Sequence, residues 1–305
     1  MRSGPIVATV LLASSTASAE PRESRVDVSA FAVPWGMAYT RCAVGGSAAY
    51  VAPLSQDPGA LWNTTEARVG VRDVYGWVNN ELGAFAEITP VAVFKLRGEV
   101  GWGAFIKPPV NGGFRTLTEY GRQLLDEGKV GRNGGDTLDW SRDGGVDNRA
   151  HFNEPIGAHG LRARLIPTFQ VQVGPLIGVY TFTLDYADFR GPGRSADDVF
   201  HDTSAFTLRK VRDVLLMHEG LLAWQWTGVR DEVIVGAQVR QYRATSTGLD
   251  SLGVFGLVLV QRDGKLVRKS FAPFALAQAG SYLRDPMHRG DLSWVLVVGA
   301  DWKGL

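Results

Sequence analysis

The feature that most constrains this 305-residue chain is a pair of long arms, His159 to Arg190, along which polarity flips at nearly every residue. In the first arm Leu161, Ala163, Leu165, Pro167, Phe169, Val171 and Val173 share one parity, and Arg162, Arg164, Thr168, Gln170 and Gln172 hold the other. A period of two belongs to an extended strand, whose successive side chains point to opposite faces. Gly174-Pro175 supplies a turn, after which Leu176, Tyr180, Phe182, Leu184 and Tyr186 alternate with Thr181, Thr183 and Asp185. Each arm runs to about thirteen to fifteen residues, where an ordinary strand has about 5–6. Long strands with one apolar face and arginines on the other suit a closed barrel with lipid outside and water inside.

The first residues point to export. Arg2 gives a positive start, Ile6 to Ala13 a short apolar core, and Ala17-Ser18-Ala19 a small-x-small cleavage site, so residues 1–19 read as a signal peptide. Cys42 lies well beyond that site and has no second cysteine to pair with, which excludes an internal disulfide. Lys+Arg (32) and Asp+Glu (31) nearly cancel, so there is no clustered basic excess to favour nucleic acid. After residue 19 no stretch reaches the eighteen or so apolar residues of a transmembrane helix; Leu252 to Val260 and Trp294 to Val298 both stop short. Spanning by strands remains open, because a barrel's lipid face uses only every second residue.

In chain order, residues 20–65 read as a lead-in or a first hairpin, with Val28 to Thr40 and Ala48 to Leu54 around Gly45-Gly46 and a bulge or edge at Pro34. From Glu66 the alternation firms: Val69, Val71, Tyr75 and Trp77, a turn at Asn79-Asn80, then Leu82, Ala84, Ala86 and Ile88 to a turn at Thr89-Pro90. Ala92, Phe94, Leu96, Val100 and Trp102 follow, opposed by Lys95, Arg97 and Glu99, charges suited to a wet lumen and ruinous in a dry core. Residues 106–158 break the rhythm as a long external loop, with a helix expected over Thr116 to Lys129 ahead of Gly131. A second interruption spans 191 to 212. Beyond it come Val214 to Trp226, Val233 to Val239, the doubly apolar Leu252 to Val260, an Asp263-Gly264 hairpin signal, Val267 to Leu283, and Leu292 to Trp302. The expectation is an all-β protein: a closed antiparallel transmembrane barrel over 66–305, of about twelve strands with ten as the alternative. Short and long turns sit at opposite rims.

Aromatics near strand ends, Trp77, Trp102, Tyr186, Trp224, Trp226, Tyr242, Tyr282, Trp294 and Trp302, are expected to form the girdles that meet the lipid interface. With these features the chain resembles the outer-membrane β-barrel proteins of Gram-negative bacteria, a porin-like class within which no family is singled out. The resemblance implies the outer membrane as location, its lipid and the barrel assembly machinery as partners, and small solutes as cargo. One departure is the final residue, Leu305, whose parity falls with Asp301 and Lys303 rather than with Trp302.

Expected lumen-lining residues are Lys95, Arg97, Glu99, Arg162, Arg164, Asp185, Gln238, Arg240, Asp301 and Lys303. Lys95, Arg97, Arg162 and Arg164, opposed only by Glu99, would make a basic wall favouring anions. The function read from this is a passive small-solute channel or a structural barrel, with no cofactor and no catalytic set expected. A barrel hydrolase is the alternative, with His151, His159, His201, His218 and His288 as candidate bases, although no serine sits in a recognisable nucleophile motif. A soluble exported β-sandwich is the second alternative. Asp136, Asp139, Asp143, Asp147 and Asn148 lack the spacing of a calcium loop, so no metal is expected there.

Overall fold

The computed structural model describes residues 23–36, 43–55, 65–76, 79–106, 114–129, 151–202, 207–228, 231–262, 271–285, 290 and 292–303. The chain runs β1 (Arg25–Gly36), β2 (Ala43–Pro53), β3 (Glu66–Gly76), β4 (Asn79–Val91), β5 (Phe94–Phe105), α1 (Glu119–Asp126), β6 (Ala158–Val173) and β7 (Leu176–Arg190). It continues through β8 (Val199–Asp202), β9 (Thr207–Lys210), β10 (Arg212–Thr227), β11 (Asp231–Ala244), β12 (Asp250–Arg262), β13 (Phe271–Arg284) and β14 (Leu292–Lys303). All of these strands except β8 and β9 close into a single antiparallel barrel of twelve, sealed by β1 against β14, while β8 and β9 pair only with each other.

Two rims follow from this order. The start of β1 and the end of β14 lie side by side at one, the terminal rim, with Asp27 opposite Lys303. The Gly174-Pro175 turn shares that rim, with Gly174 at φ 58°, a left-handed conformation that suits glycine. The connections at 106–157 and 191–211 emerge at the other, the loop rim.

The alternation places apolar side chains on the outside of every barrel strand. Among the exposed large apolar side chains there, exposure ranges from 37 % at Leu184 to 71 % at Val173, with Val69, Leu82, Val100, Leu222, Val239, Val258 and Val298 between. Such a predominantly apolar belt inverts the pattern of a protein dissolved in water. Trp102, Tyr186 and Trp294 face outward near the loop rim, and Trp224, Trp226 and Trp302 near the terminal rim, so the described aromatics form two belts. Tyr75 and Tyr50 join them on the same logic. Among the described residues no helix is long and apolar enough to cross a membrane.

Several sequence expectations need correction. β1 and β2 belong to the barrel, as the twelve-strand reading with a first hairpin expects, and Gly45-Gly46 lies inside β2 rather than at a turn. Asn79 and Asn80 open β4, paired with Phe105 and Ala104, because their amides join the ladder instead of leaving it. The turn after β4 is Ala92-Val93; Thr89-Pro90 lies inside the strand at a register slip between Ile88 and Val91. A similar slip between Ala32 and Trp35 brackets Pro34, which has no N–H to give to the ladder. The helix is shorter than expected: Thr118 caps it, its Oγ1 accepting from Gly121 N–H at 3.0 Å. The signal segment 1–19, Cys42, Trp77, the Asp136 to Asn148 segment, Asp263-Gly264, His288 and Leu305 lie outside the described residues.

Candidate functional site

The inner face divides into two walls. One is charged and lies on β1 and β3–β7, where the inward parity carries Arg25, Asp27, Glu66, Arg68, Arg72, Glu81, Glu87, Lys95, Arg97, Glu99, Arg162, Arg164 and Asp185. Residues on strands two apart reach across the intervening strand. Arg25 meets Glu66 at 3.0 Å, Arg72 meets Glu99 at 2.7 Å, and Arg164 meets Glu81 at 2.5 Å.

These pairs join into one lattice that climbs the wall. From Arg25 it passes through Glu66 to Arg68, then to Glu87 at 3.7 Å, Arg97 at 3.5 Å and Glu99 at 2.7 Å. Arg164 links Glu99 (3.0 Å) to Asp185 (3.7 Å), and Arg162 clasps Asp185 through a close bidentate contact. Lys95 adds a further cation 3.7 Å from Glu87. Every cation has a carboxylate and every carboxylate a cation, which is what buried charge requires. This corrects the expected basic wall: Glu81, Glu87 and Asp185 oppose its four cations as well as Glu99.

The other wall lies mainly on β7 and β10–β14 and is apolar over much of its height. Ile177, Val179, Leu221, Ile234, Leu257, Leu259, Phe274, Leu276 and Val297 pack there as one buried cluster. That is why the Leu252 to Val260 segment shows no alternation of polarity: Leu257 and Leu259 face in and Val258 and Val260 face out, all aliphatic. Nearer the loop rim the same wall turns polar. Arg240 donates to Gln238 at 2.7 Å and Gln278 at 2.8 Å, and Tyr242 donates to Glu219 at 2.5 Å. Tyr242 and Tyr282 are therefore lumen residues, at 1 % and 4 % exposure, and not interface aromatics.

At the loop rim the lattice meets a stopper. The β8–β9 hairpin folds into the mouth, and its Arg209 is completely buried. Arg209 Nη2 donates to the backbone carbonyls of Asp185 (2.9 Å) and Asp213 (2.8 Å), while Nη1 faces Asp202 (3.4 Å) and Asp185 (3.7 Å). Asp202 in turn lies 3.6 Å from Arg162, tying the hairpin to the barrel wall. Phe105, Phe114, Phe189 and Phe200 stack beside it, Phe114 on Phe200 with ring centres 4.6 Å apart. Leu117 and Leu124 from the helical segment, with Phe152, cover Val199 and Leu208.

All ten expected lumen residues lie on the inward parity, with Lys303 exposed at the terminal rim. Sequence reasoning missed Glu81 and Glu87, although they alternate with the outward Leu82, Ala86 and Ile88. It also missed Arg209, for which four-residue strands give no periodic signal. The candidate histidines scatter: His159 stacks on Trp102 and His218 bonds Tyr180 on the outer face, His151 lies against Tyr120, and His201 sits in β8.

No protein-family model matches this chain, and no curated protein matches it. Among solved structures, it is similar to the β domain of the Bordetella autotransporter BrkA, at 9 % identity and a TM-score of 0.48, covering 92 % of this chain and 99 % of that one. It is similar also to the translocator domain of the autotransporter NalP from Neisseria meningitidis, at 11 % identity, a TM-score of 0.39 and coverage of 92 % and 86 %. A third is the NanC porin, at 7 % identity, a TM-score of 0.37 and coverage of 91 % and 98 %. The solved structures that this chain resembles are outer-membrane β-barrels.

Proposed function

We propose that this chain is an integral outer-membrane barrel, exported through the leader at residues 1–19, whose lumen is a narrow polar conduit stoppered by its own β8–β9 hairpin. The observation that carries this reading is the ion lattice, which runs without a break from Arg25 near the terminal rim to Arg209 under the hairpin. Lattice side chains such as Arg25, Arg68 and Arg72 keep 17–29 % exposure, whereas Arg209 has none. The track is thus most open at Arg25, Arg68 and Arg72, and closed at the stopper. The apolar outer belt favours membrane residence, since a closed sheet satisfies its own backbone in lipid. Small polar solutes are the class that such a track would pass, with weak charge preference because its cations and carboxylates nearly balance.

Conductance tests this. The chain from Glu20 onward, refolded in detergent and inserted into a planar bilayer, is expected to be mostly closed. A variant with residues 199–210 replaced by a short Gly-Ser link is expected to conduct steadily and with little ion selectivity. A shortened variant that remains a folded, heat-modifiable barrel yet conducts no better than the parent would overturn the stoppered-conduit reading. A parent chain that stays monodisperse in buffer without detergent would overturn membrane residence itself.

A further inference from the structure

On β10 and β11 the apolar outer belt carries a cluster of polar side chains. On β10, His218 faces outward between Leu216 and Leu222, and its Nδ1 lies 2.8 Å from the Tyr180 hydroxyl of β7. Gln241 of β11 stands directly opposite His218, and Arg243 stands one outward position nearer the loop rim. Among the described residues neither Gln241 nor Arg243 has a side-chain partner, and His218 Nε2 has none. The nearest carboxylate across the strand is Asp250, opposite Arg243, and it is already bonded to Arg284 at 2.8 Å.

Depth makes this patch unusual. A strand tilted about 40° climbs roughly 2.5 Å per residue, so His218 lies roughly 20 Å above the Trp226 belt, inside an apolar band about 25 Å tall. Arg243 is then about 5 Å higher, at the band's edge. An unsatisfied polar group in hydrocarbon is expensive, and an ionisable one there marks a site by default. Beside His218, Gly220 leaves a gap: a Cβ built on it meets nothing within 4 Å, and its strand neighbours are Tyr180 and Val239.

We propose that this patch holds one phosphate-bearing membrane lipid from the leaflet at the loop rim, an assignment that rests on the membrane reading above. Arg243 binds the phosphate, His218 Nε2 and the Gln241 amide bond the carbonyls that join acyl chains to the headgroup, and one chain lies in the gap at Gly220. The order of the three matches the order of a lipid's parts: charge at the band's edge, carbonyls just beneath, hydrocarbon below.

Native mass spectrometry of the full mature chain in detergent, with added lipid, tests this. Phosphatidylglycerol is expected to be retained over its dialkyl-ether analogue, which lacks carbonyls, and over a neutral glycosyldiacylglycerol, which lacks phosphate. Arg243→Ala should weaken phosphatidylglycerol retention about tenfold or more, the scale of one lost charge-assisted contact. Gln241→Ala with His218→Phe should abolish the ester-over-ether preference, and Gly220→Leu should weaken all three lipids by filling the gap. These side chains point outward, and heat-modifiable migration on gels reports that each variant folds. Equal retention of the three lipids by the parent, variants that match the parent, or inorganic phosphate competing away the lipid would overturn the proposal. A chain that needs no detergent would sink the membrane reading beneath it, whereas a detergent-dependent barrel without lipid preference would sink this proposal alone.

Discussion

Arg209→Met removes the largest of the fully buried side chains that fasten the β8–β9 hairpin to the barrel. The guanidinium is fully buried and makes two bonds to backbone carbonyls, at 2.8 and 2.9 Å, besides facing Asp202 and Asp185. Each charge-assisted bond contributes about 1.5–3 kcal/mol net. Stranding a buried carboxylate by deleting its partner costs about 3–5 kcal/mol in all, which already includes such bonds. Asp185 keeps Arg162 and Arg164, and Asp202 keeps Arg162 at 3.6 Å, so the damage falls mainly on the two carbonyls, whose two bonds alone amount to about 3–5 kcal/mol. A loss of about 3–5 kcal/mol raises the open population of the hairpin roughly one-hundred- to several-thousand-fold. Hydrogen exchange reads this directly. The amides that hold the hairpin, His201 N–H on Arg115 O (3.2 Å) and Val211 N–H on Asp198 O (2.9 Å), should lose protection by that factor. Amides of the β6–β7 ladder should change little. Arg212→Met, which breaks a pair with Asp188 through an exposed guanidinium, serves as the control and should leave protection at 199–211 close to that of the parent. If protection at 199–211 fell less than tenfold in Arg209→Met, the hairpin would be held by its aromatic neighbours, and the anchoring argument would be wrong.

Further tests follow from depth, close packing and charge. Val71→Arg, within the outer belt, should destabilise the barrel in lipid vesicles by about 2–4 kcal/mol, and Trp226→Arg at the belt's edge by about 0–1 kcal/mol. Equal penalties in urea titrations would argue against a membrane boundary at Trp226. Gly160→Ala should fail to refold or lose several kcal/mol, because a Cβ there runs into the Asp188 carbonyl across the β6–β7 ladder; a stable Gly160→Ala barrel would refute that packing. Outside the spanning strands, the Lys210 ammonium 2.8 Å from Asp197 holds that carboxyl below its ordinary range. A depressed folded value means that the pair's contribution is present above the unfolded pKa and fades as pH falls through the folded one. Acid titration should therefore loosen exchange at 197–210 in the parent and less so in Asp197→Asn; identical titrations would refute it.

Much of the barrel was legible because lipid outside and charge inside impose a period of two on strands of 11 to 16 residues. Where both faces are aliphatic, as at Leu252 to Val260, the same rule is silent, and only three-dimensional packing orients the strand. Tyr242 shows the opposite failure. It shares parity with Gln238 and Arg240, so alternation alone puts it in the lumen, and proximity to a strand end misled. The stopper was illegible for another reason. Phe105, Phe114, Phe189 and Phe200 come from separate segments, and their association depends on tertiary closure. The balance of the charged wall was readable in principle, since Glu81 and Glu87 sit one residue from positions assigned to the outside.

The seam between β1 and β14 is open to protein engineering. Because the first and last strands are hydrogen-bonded neighbours, with Ser29 beside Asp301 as well as Asp27 beside Lys303, a few-residue tether could bridge them. The ring could then be reopened elsewhere, for instance within 106–157, giving a circular permutant in which an interior pair supplies the final closing joint. Whether such a molecule still inserts would show how far assembly depends on which staves are made first, and how far on the finished hoop.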